Sequence, residues 1–301
     1  MSSLDILLLR SFVAVARAGS ISGAALQVGR TQSAVSMQMR RLESVIGQRI
    51  LHRTGTGVGL TATGDRLLSY AEKILGAHDE AVADLSGAGL RGAISFGCPE
   101  DYLTAFLPDL LRGFTAINGG VEIEVVCAPT VELRPLLHRR RIDLALISLP
   151  REAEAGRIIR SESFVWVANA PAPEILQSKV LPLALAAPDT LDHRAACDAM
   201  DRAGRAYRIA FASNSLAGLL AVARSGQAIS VVTRSAVPDD LHMLGPPMPA
   251  LPDIGISLAY AASRPSAVVR AFGAFVEDKL RLKAHIQHKE QGGSSRLSIA
   301  T

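Results

Sequence analysis

The sequence predicts an α/β protein in three parts: an N-terminal winged helix-turn-helix, a long linker helix, and a domain of two α/β half-domains. Three observations carry this. Residues 1–60 are helical in pattern, arginine-rich, and end in a Gly-rich hairpin. Residues 61–86 form a proline-free stretch with apolar residues at heptad spacing. Beyond Gly92, short apolar strands alternate with helices. A length of 301 residues fits about two domains, and 49% apolar residues supply more than one core. An aromatic fraction of 4% is too low for a sugar platform or a base-stacking sheet. No apolar run approaches the roughly 18 residues that span a bilayer. The opening MSSLDILLLR has no basic run or small-residue cleavage site, so it does not read as a secretory signal. Cys98, Cys127 and Cys197 are an odd, widely spaced set that fits a reducing cytoplasm rather than a disulfide framework.

Leu4, Leu7, Leu8, Phe12 and Val15 mark the first helix, with Gly19 as its stop. Ser20 suits the N-cap of a short second helix ending near Gly29. The third runs from about Thr31 to Ile46, with Val35, Met39, Leu42 and Ile46 on its apolar side. Its other side carries Gln32, Ser33, Ser36, Met37 and Arg40. Residues Arg49–Thr61, with a tip at Gly55–Gly59, read as a two-stranded wing. The first 60 residues hold seven arginines (Arg10, Arg17, Arg30, Arg40, Arg41, Arg49, Arg53) against Asp5 and Glu43. That local excess of five exceeds the whole-chain charge of +4, the distribution of a nucleic-acid-binding module.

Leu60, Gly64, Leu67, Ala71, Ile74, His78, Ala81 and Leu85 alternate four and three apart along the next helix, which would be roughly 35–40 Å long. It reads as a dimer seam, with a core helix of a larger domain as the alternative. Strands then fall at Ala93–Gly97, Val121–Cys127 and Asp143–Ile147, with helices at Leu103–Gly113 and Val131–His138, a βαβαβ unit with a parallel sheet. A second series has strands at Phe164–Val167, Leu181–Leu185, Tyr207–Phe211, Ile229–Val232 and Ile256–Tyr260. A last helix carries Val268 to Leu280. These patterns divide the chain into 1–60, a linker at 61–88 and a domain at 89–284. Half-domain I is 89–161 with 265–284, half-domain II is 162–264, and 285–301 is a disordered tail.

Residues 20–43 (SISGAALQVGRTQSAVSMQMRRLE) resemble the helix-turn-helix of LysR-type transcriptional regulators. Phe12, Gly47, Arg53-Thr54-Gly55 and Leu60-Thr61 fit in order, and the resemblance continues through Ile142–Ala145, Ser225-Gly226 and Leu251-Pro252 to about Leu280. The Arg30–Ser36 run and Pro99–Tyr102 incline it toward the branch that includes motility and exoenzyme regulators. Departures are Thr56 and Met37 where basic residues are common, Pro99-Glu100-Asp101-Tyr102 in place of a Ser/Thr-rich turn, and Gly226-Gln227-Ala228 in place of Gly-x-Gly. The resemblance implies a type 2 periplasmic-binding-protein-like effector domain, a homodimer that assembles to a homotetramer, and cytoplasmic location, and it allows RNA polymerase as a further partner.

Short polar side chains on the N-terminal half of a recognition helix can enter the major groove. Gln32, Ser33 and Ser36 satisfy this, and Arg40 reaches a base or a phosphate. Gln38 divides between base contact and packing. Arg30, Arg41 and Arg53 suit phosphates, which position without specifying. A dimer would read a partially palindromic double-stranded operator. In the C-terminal domain, strand ends converge on a cleft at Glu100, Asp101, Tyr102, Thr130, Ser148, Ser213, Asn214 and Thr233. Glu100 and Asp101 sit where a helix start would otherwise bind an anion, so the expected effector is neutral or cationic; equally, they serve only to offset the helix dipole.

No metal, cofactor or catalytic signature is present, and His285 with His288 lie in the tail. The His138–Arg141 run reads as solvated basic residues at a helix end, and Trp166 as core. An enzyme or solute-binding protein on the same half-domains is the rival reading, and it leaves the basic helix-turn-helix unexplained. Cys98 and Cys127 end consecutive strands and could sit within disulfide reach, but adjacent acids argue for two reduced thiols.

Overall fold

The computed structural model describes residues 3–55, 57–86, 89–151 and 158–294, without the side chains of 80, 83, 84, 86 and 282–294. Thr56, His285 and His288 therefore lie outside what is described of side chains.

The head packs α1 (Ile6–Ala18), α2 (Ile21–Gln27) and α3 (Gln32–Ile46) against the hairpin β1 (Leu51–Thr54) and β2 (Gly57–Leu60). The Asp5 carboxylate accepts the Leu7 amide at 2.7 Å, Ser20 accepts that of Gly23 at 3.1 Å, and Thr31 that of Ala34 at 3.2 Å. Each cap satisfies an amide that lacks an intrahelical partner. Gly19 ends α1 at φ +62, a conformation that disfavours other residues. Leu9, Phe12, Val35, Leu42 and Ile50 form the buried centre. Glu43 reaches out of α3 to accept the Ile50 amide at 3.0 Å, which fixes the base of the wing.

The linker helix α4 (Ala62–Ser86) starts against that base. A side chain at Gly64 would lie 2.1 Å from the Ile50 carbonyl, so only glycine permits the approach.

The C-terminal domain is one sheet of nine strands in the order β4-β3-β5-β11-β6-β9-β7-β8, with β10 paired to β6. In half-domain I, β3 (Arg91–Cys98), α5 (Glu100–Ile117), β4 (Gly120–Cys127), α6 (Thr130–His138) and β5 (Leu144–Pro150) make the expected parallel unit. In half-domain II, β7 (Leu181–Leu185), α7 (Leu191–Arg202), β8 (Tyr207–Ala212), α8 (Leu216–Arg224) and β9 (Ile229–Thr233) make a second. Three further strands, β6 (Arg160–Ala168), β10 (His242–Leu244) and β11 (Asp253–Tyr260), join antiparallel. The first part of β6 pairs with β11 and its second part with β9, so this strand carries the chain between lobes.

Three differences from the sequence reading follow. First, β11 pairs with β5 over residues 254–260, so the chain returns to half-domain I there and not at 265. Second, β6 begins at Arg160, four residues before the apolar run. Arg160 and Glu162 are charged yet buried, with the Arg160 guanidinium 5.0 Å from the Phe106 ring centre and its Nε 3.6 Å from Glu162 Oε2. Third, α9 (Ala267–Ser294) runs ten residues past the boundary placed at 284, over a segment free of proline. The residues after Ser294 lie outside the described part.

Phe96, Phe114 and Phe272 meet edge-to-face at 5.0–5.2 Å and bind α9 to half-domain I. Trp166 is buried in half-domain II, its indole N–H donating to the Pro249 carbonyl at 2.8 Å.

Candidate DNA-binding face and inter-lobe cleft

One face of α3 is open. Gln32, Ser33, Arg40 and Arg41 are exposed there, and Arg30 and Arg53 flank it from the preceding turn and the wing. The side chains of Arg30, Gln32, Arg40, Arg41 and Arg53 bond to none of the described residues, while that of Ser33 shares a 3.0 Å hydrogen bond with Thr31. Ser36 is half-buried. Gln38 is half-buried too, and its amide oxygen is sequestered without a hydrogen-bond partner, which sets it on the packing side of the helix. The residue that takes its place on the open face is Met37, 68% exposed between Ser33 and Arg40. An apolar side chain there suits the thymine methyl group. Sequence reasoning passed over it because a methionine where arginine is common reads as a lost contact.

The seam on α4 needs correction. Leu67 and Ala71 are buried in the head's own core with Leu68 and Leu75, packed against α1. At 3.6 residues per turn the stripe facing α1 uses up these two positions of the heptad pattern. What remains exposed is Tyr70, Ile74 (36%), His78, Val82 and Leu85 (85%). These lie on successive turns of the helix.

The head also rests on its own half-domain I. Arg17 on α1 pairs with Asp143, which accepts the Ser95 amide of β3 at 2.9 Å. Glu72 on α4 pairs with Arg140, and Arg140 Nη2 donates to Ser69 at 3.0 Å. Burial raises the Glu72 carboxyl above the usual range, against the opposing pull of Arg140 and Arg17. Arg140 holds a left-handed backbone at φ +53. The basic run after α6, read as solvated, is thus partly a docking surface for the linker helix. Nothing in its sequence pattern names that partner.

Six of the eight cleft residues come together in two groups, one on each side of the cleft's midline. On the lobe I side, the Tyr102 hydroxyl is 2.7 Å from Ser148 Oγ, and the Ser148 amide donates to Thr130 Oγ1 at 2.9 Å. Burial pushes the Tyr102 phenol well up, so it stays neutral. Across the midline, Glu100 Oε2 accepts the Leu216 amide at 2.7 Å, and its Oε1 lies 3.3 Å from the Ser215 hydroxyl. Glu100 therefore does not cap its own helix, as expected from sequence, but the start of α8 in the other lobe. Asp101 lies against the buried Thr233 hydroxyl. Burial, then the charges of Asp192 and Glu100, raise its carboxyl to about 6. Asp192, at the start of α7, is also raised by burial; the sequence reading missed it. Ser213 and Asn214 sit beside α8, with the Ser213 hydroxyl bonded to its own loop at Ser215 and Asn214 exposed.

Cys98 and Cys127 are register partners on β3 and β4, and both are free thiols, Cys98 buried and Cys127 exposed. Burial, with Asp101 next, pushes the Cys98 thiol well up; burial and Glu100 raise Cys127. Among the described residues no cluster could hold a metal ion, and no helix is long and apolar enough to cross a membrane.

Comparison with known proteins matches this architecture. The model of the bacterial regulatory helix-turn-helix protein, lysR family, covers residues 6–65, and that of the LysR substrate binding domain covers 87–281. The HTH-type transcriptional regulator DgdR of Burkholderia cepacia is 52% identical over 276 residues, spanning 91% of this chain and 94% of its own. PecT of Dickeya dadantii is 30% identical over 98% of this chain and 93% of its own. A full-length OxyR variant from Pseudomonas aeruginosa shares the fold with a TM-score of 0.64 at 20% identity, over 93% of this chain and 98% of that one. With both domains matched and a relative more than half identical along nine-tenths of its length, the chain belongs to the LysR family of transcriptional regulators, DNA-binding proteins and not enzymes, whose C-terminal effector domain modulates their activity.

Proposed function

We propose that two copies of this chain join along the exposed stripe of α4 and read the two halves of a partially palindromic operator, with assembly to a tetramer through the effector domains. The observation that carries the DNA reading is the row Gln32, Ser33, Met37 and Arg40, exposed on α3 and flanked by Arg30, Arg41 and Arg53. Gln32 and Arg40 address base edges, and Met37 a thymine methyl. The flanking arginines neutralise phosphates. Such a regulator works in the cytoplasm, where its operator is.

The cleft between the lobes takes the effector. Tyr102, Thr130 and Ser148 offer hydroxyl groups on one side, and Thr233 and Ser213 hydroxyls with the Asn214 amide on the other. Glu100, Asp101 and Asp192 make the entrance acidic, which favours a neutral or cationic ligand over an anionic one. Titration of the protein against its upstream intergenic DNA and against random DNA, over a range of salt, tests the first part. Curves that coincide for the two DNAs would remove it. Thermal-shift screening of amines against carboxylic acids tests the second: stabilisation confined to carboxylic acids would reverse the assignment.

A further inference from the structure

The contact that closes the cleft also decides which chemistry can use it. α5 and α8 belong to different lobes, yet their first turns meet. Leu216 is the first residue of α8, and an amide in a helix's first turn has no intrahelical acceptor. Here the acceptor comes from the opposite lobe, Glu100 Oε2 at 2.7 Å. α8 has no cap of its own: Ser215 stands at the cap position, but its side chain accepts no bond from the helix. Its hydroxyl instead turns to Glu100 at 3.3 Å. The neighbourhood is fitted to this. A side chain at Gly218 would lie 2.2 Å from Ser213 Oγ, the atom that accepts the Ser215 amide and shapes the turn. α5 also packs against the short turn Arg234–Ala236 that follows β9, so this helix meets half-domain II at a second place.

We propose that Glu100 is a specificity-determining latch: its carboxylate fills, from within the chain, the anion position at the start of α8, holds the lobes together there, and denies that position to a ligand's carboxylate. The denial of a ligand rests on the cleft being the effector site, whereas the bond itself is a contact within the chain. A ligand then has to break the Glu100–Leu216 bond or enter with a different group at this point. A charged acceptor facing unpaired helix amides in a part-buried setting is among the stronger hydrogen bonds a protein makes.

The test uses the full-length chain, with hydrogen exchange at the Leu216 amide as readout and acetate as probe. In Glu100→Ala the Leu216 amide should exchange about tenfold faster or more. Sodium acetate at tens of millimolar should slow it again, by occupying the vacated position, while sodium chloride at equal ionic strength does not. Acetate should leave the wild-type amide unchanged. Glu100→Gln, which keeps an acceptor but not the charge, should fall between. Unchanged exchange in both variants, or acetate acting equally on wild type, overturns the latch. If the alanine variant does not fold, the glutamine variant decides alone: a several-fold rise supports the latch and no rise overturns it. Since neither DNA nor effector is present, the result does not depend on whether the cleft proves to be the effector site.

Discussion

The open face of α3 and the cleft between the lobes use similar polar side chains in opposite ways. On α3, the side chains of Gln32 and Arg40 bond to none of the described residues and are exposed to solvent. In the cleft, Tyr102, Ser148 and Thr130 are already bonded in series, and Glu100 to the start of α8. The difference follows from the partners. A polyanion brings enough charge and area to order side chains that wait unpaired in water, where they cost nothing to leave unbonded. A small ligand enters a site that excludes water, where each unpaired group would be expensive, so the site must satisfy itself while empty. On the function proposed, the face of α3 gains bonds on binding and the cleft exchanges them.

The most severe break in this comparison comes from neither region but from what joins two copies. Ile74→Glu places a charge in the middle of the exposed α4 stripe. We expect loss of the dimer and, with it, loss of measurable operator binding, because a single head addresses only one half-site. The effector domain should remain folded. An unchanged oligomer in sedimentation would reject the seam. Ala71→Glu, three residues away on the same helix, is a control of opposite kind: Ala71 is fully buried in the head, so this variant should unfold the head itself.

On α3 the expected effects divide by partner. Gln32→Ala should cost about 1–3 kcal/mol, and only at one base pair of each half-site. Arg53→Ala should weaken operator and random DNA alike and lower the log–log salt slope by about 0.9 per lost phosphate contact. Base-specific loss from Arg53→Ala would exchange these roles.

The cleft should show its self-satisfaction as pH dependence. Asp101 has a folded-state value of about 6 against an ordinary 3.8. Between those values the folded chain holds a proton that the unfolded chain has released. Stability from this group is therefore present below about pH 4 and is lost as pH rises to about 6. At pH 7 the ionised group is a net cost, at most about 3 kcal/mol. Asp101→Asn should flatten that slope and raise the melting temperature at pH 7. A cationic ligand of the cleft should bind more tightly as pH rises through 6, since it prefers the ionised carboxylate. Thermal melts of the two proteins from pH 4 to 8 check the first point, and a variant that melts lower at pH 7 would refute it.

The same contrast explains what could be read in the sequence. The head is legible because its signals are local: Ser20 and Thr31 cap α2 and α3, Gly19 and Gly47 end α1 and α3, and the groups proposed to meet DNA are on one helix and one hairpin. The cleft was legible only as a set of strand ends. That Glu100 would cap a helix more than a hundred residues away has no local signature, and by sequence it belongs to its own helix. Arg160 and Glu162 hid the start of β6, since alternating charges read as a solvated surface until burial beside Phe106 is seen. The α4 seam failed halfway for a related reason. A heptad pattern says which residues share a face but not whether that face meets a second chain or the chain's own head.

The smallest effect is expected at the two cysteines. Cys98 and Cys127 are directly opposed on neighbouring parallel strands, a spacing of about 4.8 Å that falls inside the range of a disulfide. Position alone would make them a redox pair. Their chemistry argues otherwise. Burial and the charge of Asp101 push the Cys98 thiol well up, and burial and Glu100 raise Cys127, so neither supplies the thiolate that attacks peroxide. Burial first, and the neighbouring carboxylates second, keep these thiols inert. Mild peroxide should leave both free by mass spectrometry, and Cys98→Ser should leave operator affinity within about twofold, as for a small buried group replaced by a near-isostere. A quantitative Cys98–Cys127 bond that changed operator affinity would show that proximity outweighs the raised thiol pKa.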